Sequence, residues 1–128
     1  MIDVKELKIG NYIDYSLSNL PQRIKSIIFS SEGYVVNFLD SDFANSVEKI
    51  KPIPITEEWL LKFGFISNPY QDRYELVNIY FQGCKLCFEC DKTKGFTELW
   101  ISEFPNIKYV HQLQNLFHIV TGSELQLV

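Results

Sequence analysis

Lys51-Pro52-Ile53-Pro54-Ile55-Thr56-Glu57-Glu58-Trp59-Leu60-Leu61-Lys62-Phe63-Gly64-Phe65 carries start and stop signals for one short helix and divides a β-rich front from a different back. Thr56 stands at the N-cap, where its hydroxyl can accept from free backbone N–H groups, and Glu57 and Glu58 put negative charge at the positive helix end. Trp59 takes the place where a capping box wants Glu or Gln, so the reciprocal half is missing. Ile55 and Leu60 have the spacing of a hydrophobic staple. Gly64 can take the left-handed conformation of a C′ residue, with Phe65 folding back on Leu60 as a Schellman contact. The signals predict a helix over about 57–63. Pro52 and Pro54 push Lys51 and Ile53 toward extended geometry and make the junction fixed rather than loose.

Outward to the front, Val4 and Leu7 suit one helical turn, and 9–15 reads as a turn into a strand. Gln22 to Phe29 and Tyr34 to Phe38 are rich in strand formers and flank Ser30-Ser31-Glu32-Gly33, which predicts a hairpin. A further strand around Ser46 to Ile50 completes a group of short strands that reads as a small SH3-like β-barrel, and an open antiparallel sheet reads the same way. Outward to the back, 65–67 and 72–76 flank an Asn68-Pro69-Tyr70-Gln71 turn, and β-like runs follow at 79–82, 85–90 and 96–101. A meander with a turn at Asp91-Lys92-Thr93-Lys94-Gly95 is the simplest topology. Leu113, Leu116, Phe117 and Val120 then form one apolar helical stripe, ended by Gly122.

The fold class expected is therefore α+β: an SH3-like front module at 1–54, and at 55–128 the short helix, an antiparallel sheet and a C-terminal helix packed on it. With 128 residues, 46% hydrophobic and 15% aromatic, the chain has enough apolar content for a core. The net charge of −4 gives no large basic field. Nucleic acid is thus disfavoured as a partner, because affinity there comes mostly from Lys and Arg neutralising phosphates. Arg23, Lys25, Lys49 and Lys51 are interleaved with Asp40, Asp42 and Glu48. No leader-like start and no apolar run of membrane-spanning length appear, so a cytoplasmic protein without membrane association is expected. Three cysteines within seven residues cannot all pair within the chain and fit a reducing compartment.

Cys84-x-x-Cys87-x-x-Cys90 has metal-ligand spacing, but a fourth ligand is missing: Lys94 stands where a ferredoxin-type run has Cys. Strand alternation also sends Cys87 to the face opposite Cys84 and Cys90. Core thiols are the preferred reading, and no metal or cofactor is expected. His111 and His118, two helical turns or about 10.5 Å apart, are too distant to share one metal. They lie with Gln114 and Asn115 opposite the apolar stripe, on a face best read as solvated and less favourably as a recognition surface. In the front module Tyr12, Tyr15, Tyr34, Phe38 and Phe43 can supply core rings or a ligand groove. No phosphate loop, nucleophile elbow or zinc-protease motif is present, and no catalytic residue is assigned. Tyr12, Tyr15, Arg23, Tyr34, His111, Gln114, Asn115 and His118 are the candidate binding residues.

Three stretches together, Leu7-Lys8-Ile9-Gly10-Asn11-Tyr12, Ile53 through Phe65, and Tyr109 through Phe117 with Thr121-Gly122, resemble a family of small uncharacterised proteins of Bacteroides-type gut bacteria and their phages or mobile elements. The resemblance spans nearly the whole chain and implies a cytoplasmic accessory protein, without an activity, substrate or catalytic residue. The leading functional expectation is a non-enzymatic protein-binding or adaptor module. The alternative is a nucleic-acid accessory factor using the front module.

Overall fold

Thr56 opens the first helix as its hydroxyl dictates. Its Oγ1 accepts from the Trp59 backbone N–H at 3.3 Å, and α1 runs Glu57–Lys62. At the other end Gly64 has φ 88°, its N–H donates to the Leu61 carbonyl, and the Phe65 N–H donates to the Leu60 carbonyl, both at 3.0 Å. These are the two bonds of a Schellman cap. Ile55, Leu60 and Phe65 are buried, as staple and cap require. Trp59 is buried too, with its ring 5.7 Å from that of Phe63.

The computed structural model of the chain describes residues 2–15, 18–31, 33–39, 44–68, 73–81, 84–90, 99–100 and 107–128. Side chains at 18–20, 44–45, 68, 73, 75–81, 84–90 and 99–100 are outside the description. The chain divides into two compact units, Met1–Ile53 with Tyr109–Asn115, and Pro54–Lys108 with Leu116–Val128. No helix among the described residues is long and apolar enough to cross a membrane.

In the front unit a 3-10 turn, Val4–Glu6, precedes β1 (Tyr12–Tyr15), β2 (Ser18–Ser30), β3 (Gly33–Phe38), β4 (Ala44–Ser46) and β5 (Ile50–Lys51). They form one antiparallel sheet in the order β4-β3-β2-β1-β5. The expected strand 22–29 is part of a longer one that serves two neighbours. Its first portion pairs with β1, its last with β3, and the register shifts between Ile24 and Ser26. Pro21 sits in the portion before β3 pairing begins, where a missing N–H is tolerated. The strand expected around Ser46 to Ile50 is instead β4, a 3-10 turn over Val47–Lys49 and β5. Ser46 stops the strand because its Oγ accepts from the Glu48 N–H at 3.3 Å and caps the turn. β4 and β5 end the sheet without pairing to each other, so the sheet is open and not a closed barrel. Ile2, Ile13, Ile24, Val36, Phe38 and Ile50 make the core of this unit.

The back unit holds α1 and a second antiparallel sheet, β6 (Ile66–Asn68), β7 (Arg73–Phe81), β8 (Cys84–Cys90) and β9 (Leu99–Trp100), in meander order. Two expected strands, 72–76 and 79–82, are one strand with an irregular middle: the step from Glu75 to Tyr80 faces the shorter step from Cys87 to Lys85. The turn expected at 91–95 and the thiols of Cys84, Cys87 and Cys90 lie outside the described residues and side chains.

α2 runs Val110–Thr121, longer at its start than the apolar stripe alone suggests. Gly122, at φ 75°, donates its N–H to the His118 carbonyl at 2.8 Å and ends it. Residues Tyr109–Asn115 belong to the front unit and the rest of the helix to the back unit. The architecture is α+β: two antiparallel sheets, a short helix and a C-terminal helix.

The α1 caps set an expected stability series. Leu60→Ala should lose about 2–5 kcal/mol in denaturant unfolding, because the side chain is fully enclosed. Gly64→Ala should lose about 1–3 kcal/mol through its positive φ. The Cβ contact it creates, 2.8 Å from Val128 Cγ2, adds little because that terminal side chain can move.

Candidate functional site

Gly10 turns the chain at φ 94° into β1, and five of the eight candidate residues gather around that turn. Gln114, only 1% exposed, meets it with both ends of its side-chain amide: Oε1 accepts from the Tyr12 N–H at 2.9 Å, and Nε2 donates to the Gly10 carbonyl at 3.0 Å. The amide thus acts as one more strand residue would, and the two backbone groups fix its orientation. Arg23 Nε also donates to the Gly10 carbonyl, at 3.3 Å, and its guanidinium lies 5.5 Å from the centre of the Tyr12 ring. Asn115 Nδ2 donates to the Glu6 carbonyl at 2.7 Å, while its Oδ1 accepts from Asn11 Nδ2 at 2.8 Å. Asn11 Oδ1 in turn accepts from the Lys8 N–H at 2.7 Å. All of these groups lie in the front unit.

His111 completes the cluster. It is fully buried, stacked on Tyr109 with ring centres 5.9 Å apart, and its Nε2 lies 3.4 Å from Glu6 Oε2. Its Nδ1 is buried without a hydrogen-bond partner. Burial holds the imidazole below its ordinary pKa of 6.5, against the opposing pull of the Glu6 hydrogen bond and charge. Asp14 is shifted the other way: burial raises its carboxyl, and Lys51, opposite it on β5, partly lowers it.

The helix face expected to be solvated is therefore buried at His111 and Gln114. The reason is long-range: the polar groups of these side chains find partners about a hundred residues earlier, so burial leaves most of them hydrogen-bonded. His118, on the same face but beyond the front-unit portion, is part-exposed and lies 3.8 Å from Glu124. Tyr15 packs against the front core, its ring 6.0 Å from Phe38. Phe43 lies outside the described residues.

Tyr34 stands apart from all of these, on a surface that the sequence reading did not assemble. Ile27 and Val36 are cross-strand partners, with Val36 in the core and Ile27 packed against it. Two residues nearer the hairpin tip the same face carries Phe29 and Tyr34, again partners, with ring centres 5.0 Å apart. Yet Phe29 is 72% exposed and Tyr34 43%. Gly33, at φ 110°, and Ser30, whose Oγ lies 2.8 Å from the Gly33 carbonyl, close the turn beyond them. Ile28 is exposed on the other face. Beside Tyr34 lies a groove of about 480 Å³ whose lining includes Ile2, Val4, Val47, Asp3 and Glu48. The sequence signal was present in the Ile27-Ile28-Phe29 run: three consecutive apolar residues put apolar side chains on both faces of the strand, so a sheet covered on one face only leaves one of them exposed.

No protein-family model, curated protein or solved structure matches the chain. Among the described residues no three His, Cys, Asp or Glu side chains gather as a metal site.

Two outcomes are expected from the Gly10 cluster. Gln114→Ala should lose about 1–3 kcal/mol, since it takes the acceptor from the Tyr12 N–H and leaves the Gly10 carbonyl with Arg23 Nε in place of two donors, and Gln114→Glu should also be destabilised, because a carboxylate cannot donate to the Gly10 carbonyl. Acidification should destabilise the fold through His111. The unfolded imidazole binds a proton near its ordinary pKa of 6.5 and the folded one resists it, so stability present above that pH is lost as pH falls below it. Protonation of Asp14 acts in the opposite sense. Denaturant midpoints measured from pH 7 down to pH 5 should therefore fall less steeply in His111→Leu than in the parent chain.

Proposed function

We propose that the chain is a non-enzymatic, protein-binding adaptor of the cytoplasm, and that its front unit engages another protein through the tip of the β2–β3 hairpin. The observation that carries this reading is the exposed Phe29–Tyr34 pair. Single exposed apolar residues need no explanation, but here Phe29 and Tyr34 are exposed together on one face, with Tyr34 lining a groove. Covering a large ring stabilises a complex by about 1.5–3 kcal/mol, so two rings can anchor an interface. We read the front unit as SH3-like: the strand order β4-β3-β2-β1-β5 and the 3-10 turn between the last two strands support that reading. Consistent with the resemblance, we place the protein among accessory factors of phage or mobile-element origin.

A nucleic-acid role draws on Arg23 stacked over Tyr12. It is less favoured. Residues 1–53 hold six Lys and Arg against seven Asp and Glu, and Arg23 Nε is already engaged by Gly10.

Parent chain and a Phe29→Ser/Tyr34→Ser double variant, immobilised side by side and exposed to a nuclease-treated extract of the native host, test the proposal. Proteins held by the parent should be weakened at least about tenfold on the double variant, as loss of about 1.4 kcal/mol or more requires. Equal capture by both would overturn the hairpin as the binding surface. A salt-dependent shift of DNA or RNA by the parent, with no protein captured, would favour the nucleic-acid role instead.

A further inference from the structure

The groove beside Tyr34 specifies more than an apolar contact. The buried Ile2 and the half-buried Val4 and Val47 line it, and Tyr34 joins it to the exposed Phe29 ring. Its charged lining is of one sign. Among the described residues Asp3 and Glu48 are its charged lining and no basic side chain lines it; the neighbouring Lys5 and Lys49 are exposed and are not part of the lining.

Both carboxylates stand on tightly capped backbone. Asp3 is the N-cap of the Val4–Glu6 turn, its Oδ1 accepting from the Lys5 N–H at 3.0 Å. Glu48 follows Ser46, whose Oγ accepts from the Glu48 N–H. The two acidic residues are thus carried by two short capped turns beside an apolar trough. A volume of about 480 Å³ is within the range of ligand sites, roughly 300–1,000 Å³. Ser46, at the end of β4, also lines it, and β4 is the last strand in the sheet order. An edge strand offers backbone groups to an extended segment lying alongside.

Resting on the hairpin surface proposed above, we infer that this groove takes an extended segment of the partner protein in which an apolar side chain enters beside Tyr34 and an adjacent Lys or Arg meets Asp3 and Glu48. Charge complementarity selects this occupant. Acidic or phosphorylated segments and the backbone of nucleic acids would bring like charge against the two carboxylates.

The test uses the full chain and two fluorescent pools of short synthetic peptides. Both pools carry Ile, Leu, Val or Phe at alternate positions. One fills the remaining positions with Lys, Arg and Ser, the other with Asp, Glu and Ser. The basic pool should bind, with amide shifts centred on Tyr34, Val47 and Glu48, and binding should weaken as salt rises. Glu48→Lys should lower that binding about tenfold or more, while Glu57→Lys, the same charge change at an exposed position of α1, should alter it less than about twofold. Well-dispersed amide spectra of both variants show that they are folded.

Equal binding of the two pools, binding by neither, or an unchanged affinity in Glu48→Lys would overturn the inference. The hairpin reading fails separately. If host proteins are lost from the Phe29/Tyr34 double variant while neither pool binds, the surface stands and the basic-segment inference falls. If capture is unchanged in that variant, the surface itself falls.

Discussion

The two hydrogen bonds of the Gln114 amide, to the Gly10 carbonyl and the Tyr12 N–H, are the constraint on which the front unit turns. They sit where the chain leaves its first turn and enters β1, the strand that joins β2 to β5. A turn with positive φ at Gly10 exposes backbone groups that would otherwise need a further strand or water. The amide supplies a donor and an acceptor with strand-like geometry, and it does so from a helix. Asn11, Asn115 and the Glu6 carbonyl continue the same logic, each amide using one end to accept and the other to donate. Such a network tolerates little substitution in kind, because a carboxylate cannot donate and an apolar side chain leaves buried backbone unpaired.

His111 departs from that full satisfaction. Its Nε2 has Glu6, but Nδ1 is buried without a partner. Burial therefore outweighs the carboxylate in setting the direction of its pKa. A neutral ring stacked on Tyr109 is what the site accommodates, and a second proton would place charge where no acceptor receives it. The same residue is thus both part of the packing and a source of acid sensitivity.

What was legible in the sequence and what was not divides by range of interaction. The α1 segment was readable to within one residue because Thr56, Gly64 and Phe65 act on backbone groups a few positions away. The β2–β3 hairpin was readable because Ser30 and Gly33 close it locally. The polar face of α2 was misread as solvated because nothing in 110–121 reveals that Gly10 and Tyr12 are waiting for an amide. Amphipathic pattern marks the apolar stripe, and Leu113 and Phe117 are buried as it requires, but pattern cannot tell a solvated polar face from one hydrogen-bonded to distant backbone. The strand around Ser46 to Ile50 failed for a local reason that was available: Ser46 is as good a cap as a strand residue. In the same way Phe29 was legible in principle, since its position opposite Tyr34 across a tight turn fixes which face both rings share.

Stretches 7–12, 53–65 and 109–117 share one physical character in this geometry. Residues 7–12 and the front-unit part of 109–117, through Gln114 and Asn115, are bound to each other in the Gly10 cluster, and 53–65 is the capped helix with its approach. These are the places where backbone demands particular side chains: a glycine for positive φ, amides for paired donors and acceptors, a threonine for a cap. They define a scaffold. Phe29, Tyr34, Val47 and Glu48 lie outside all three stretches, on elements whose backbone asks only for strand formers and one capped turn. The residues of the hairpin tip and groove can therefore change without disturbing the bonds that seat β1. Under the function proposed above, the scaffold residues would carry no information about a partner, and the rings at the hairpin tip with the carboxylates beside Tyr34 would carry it.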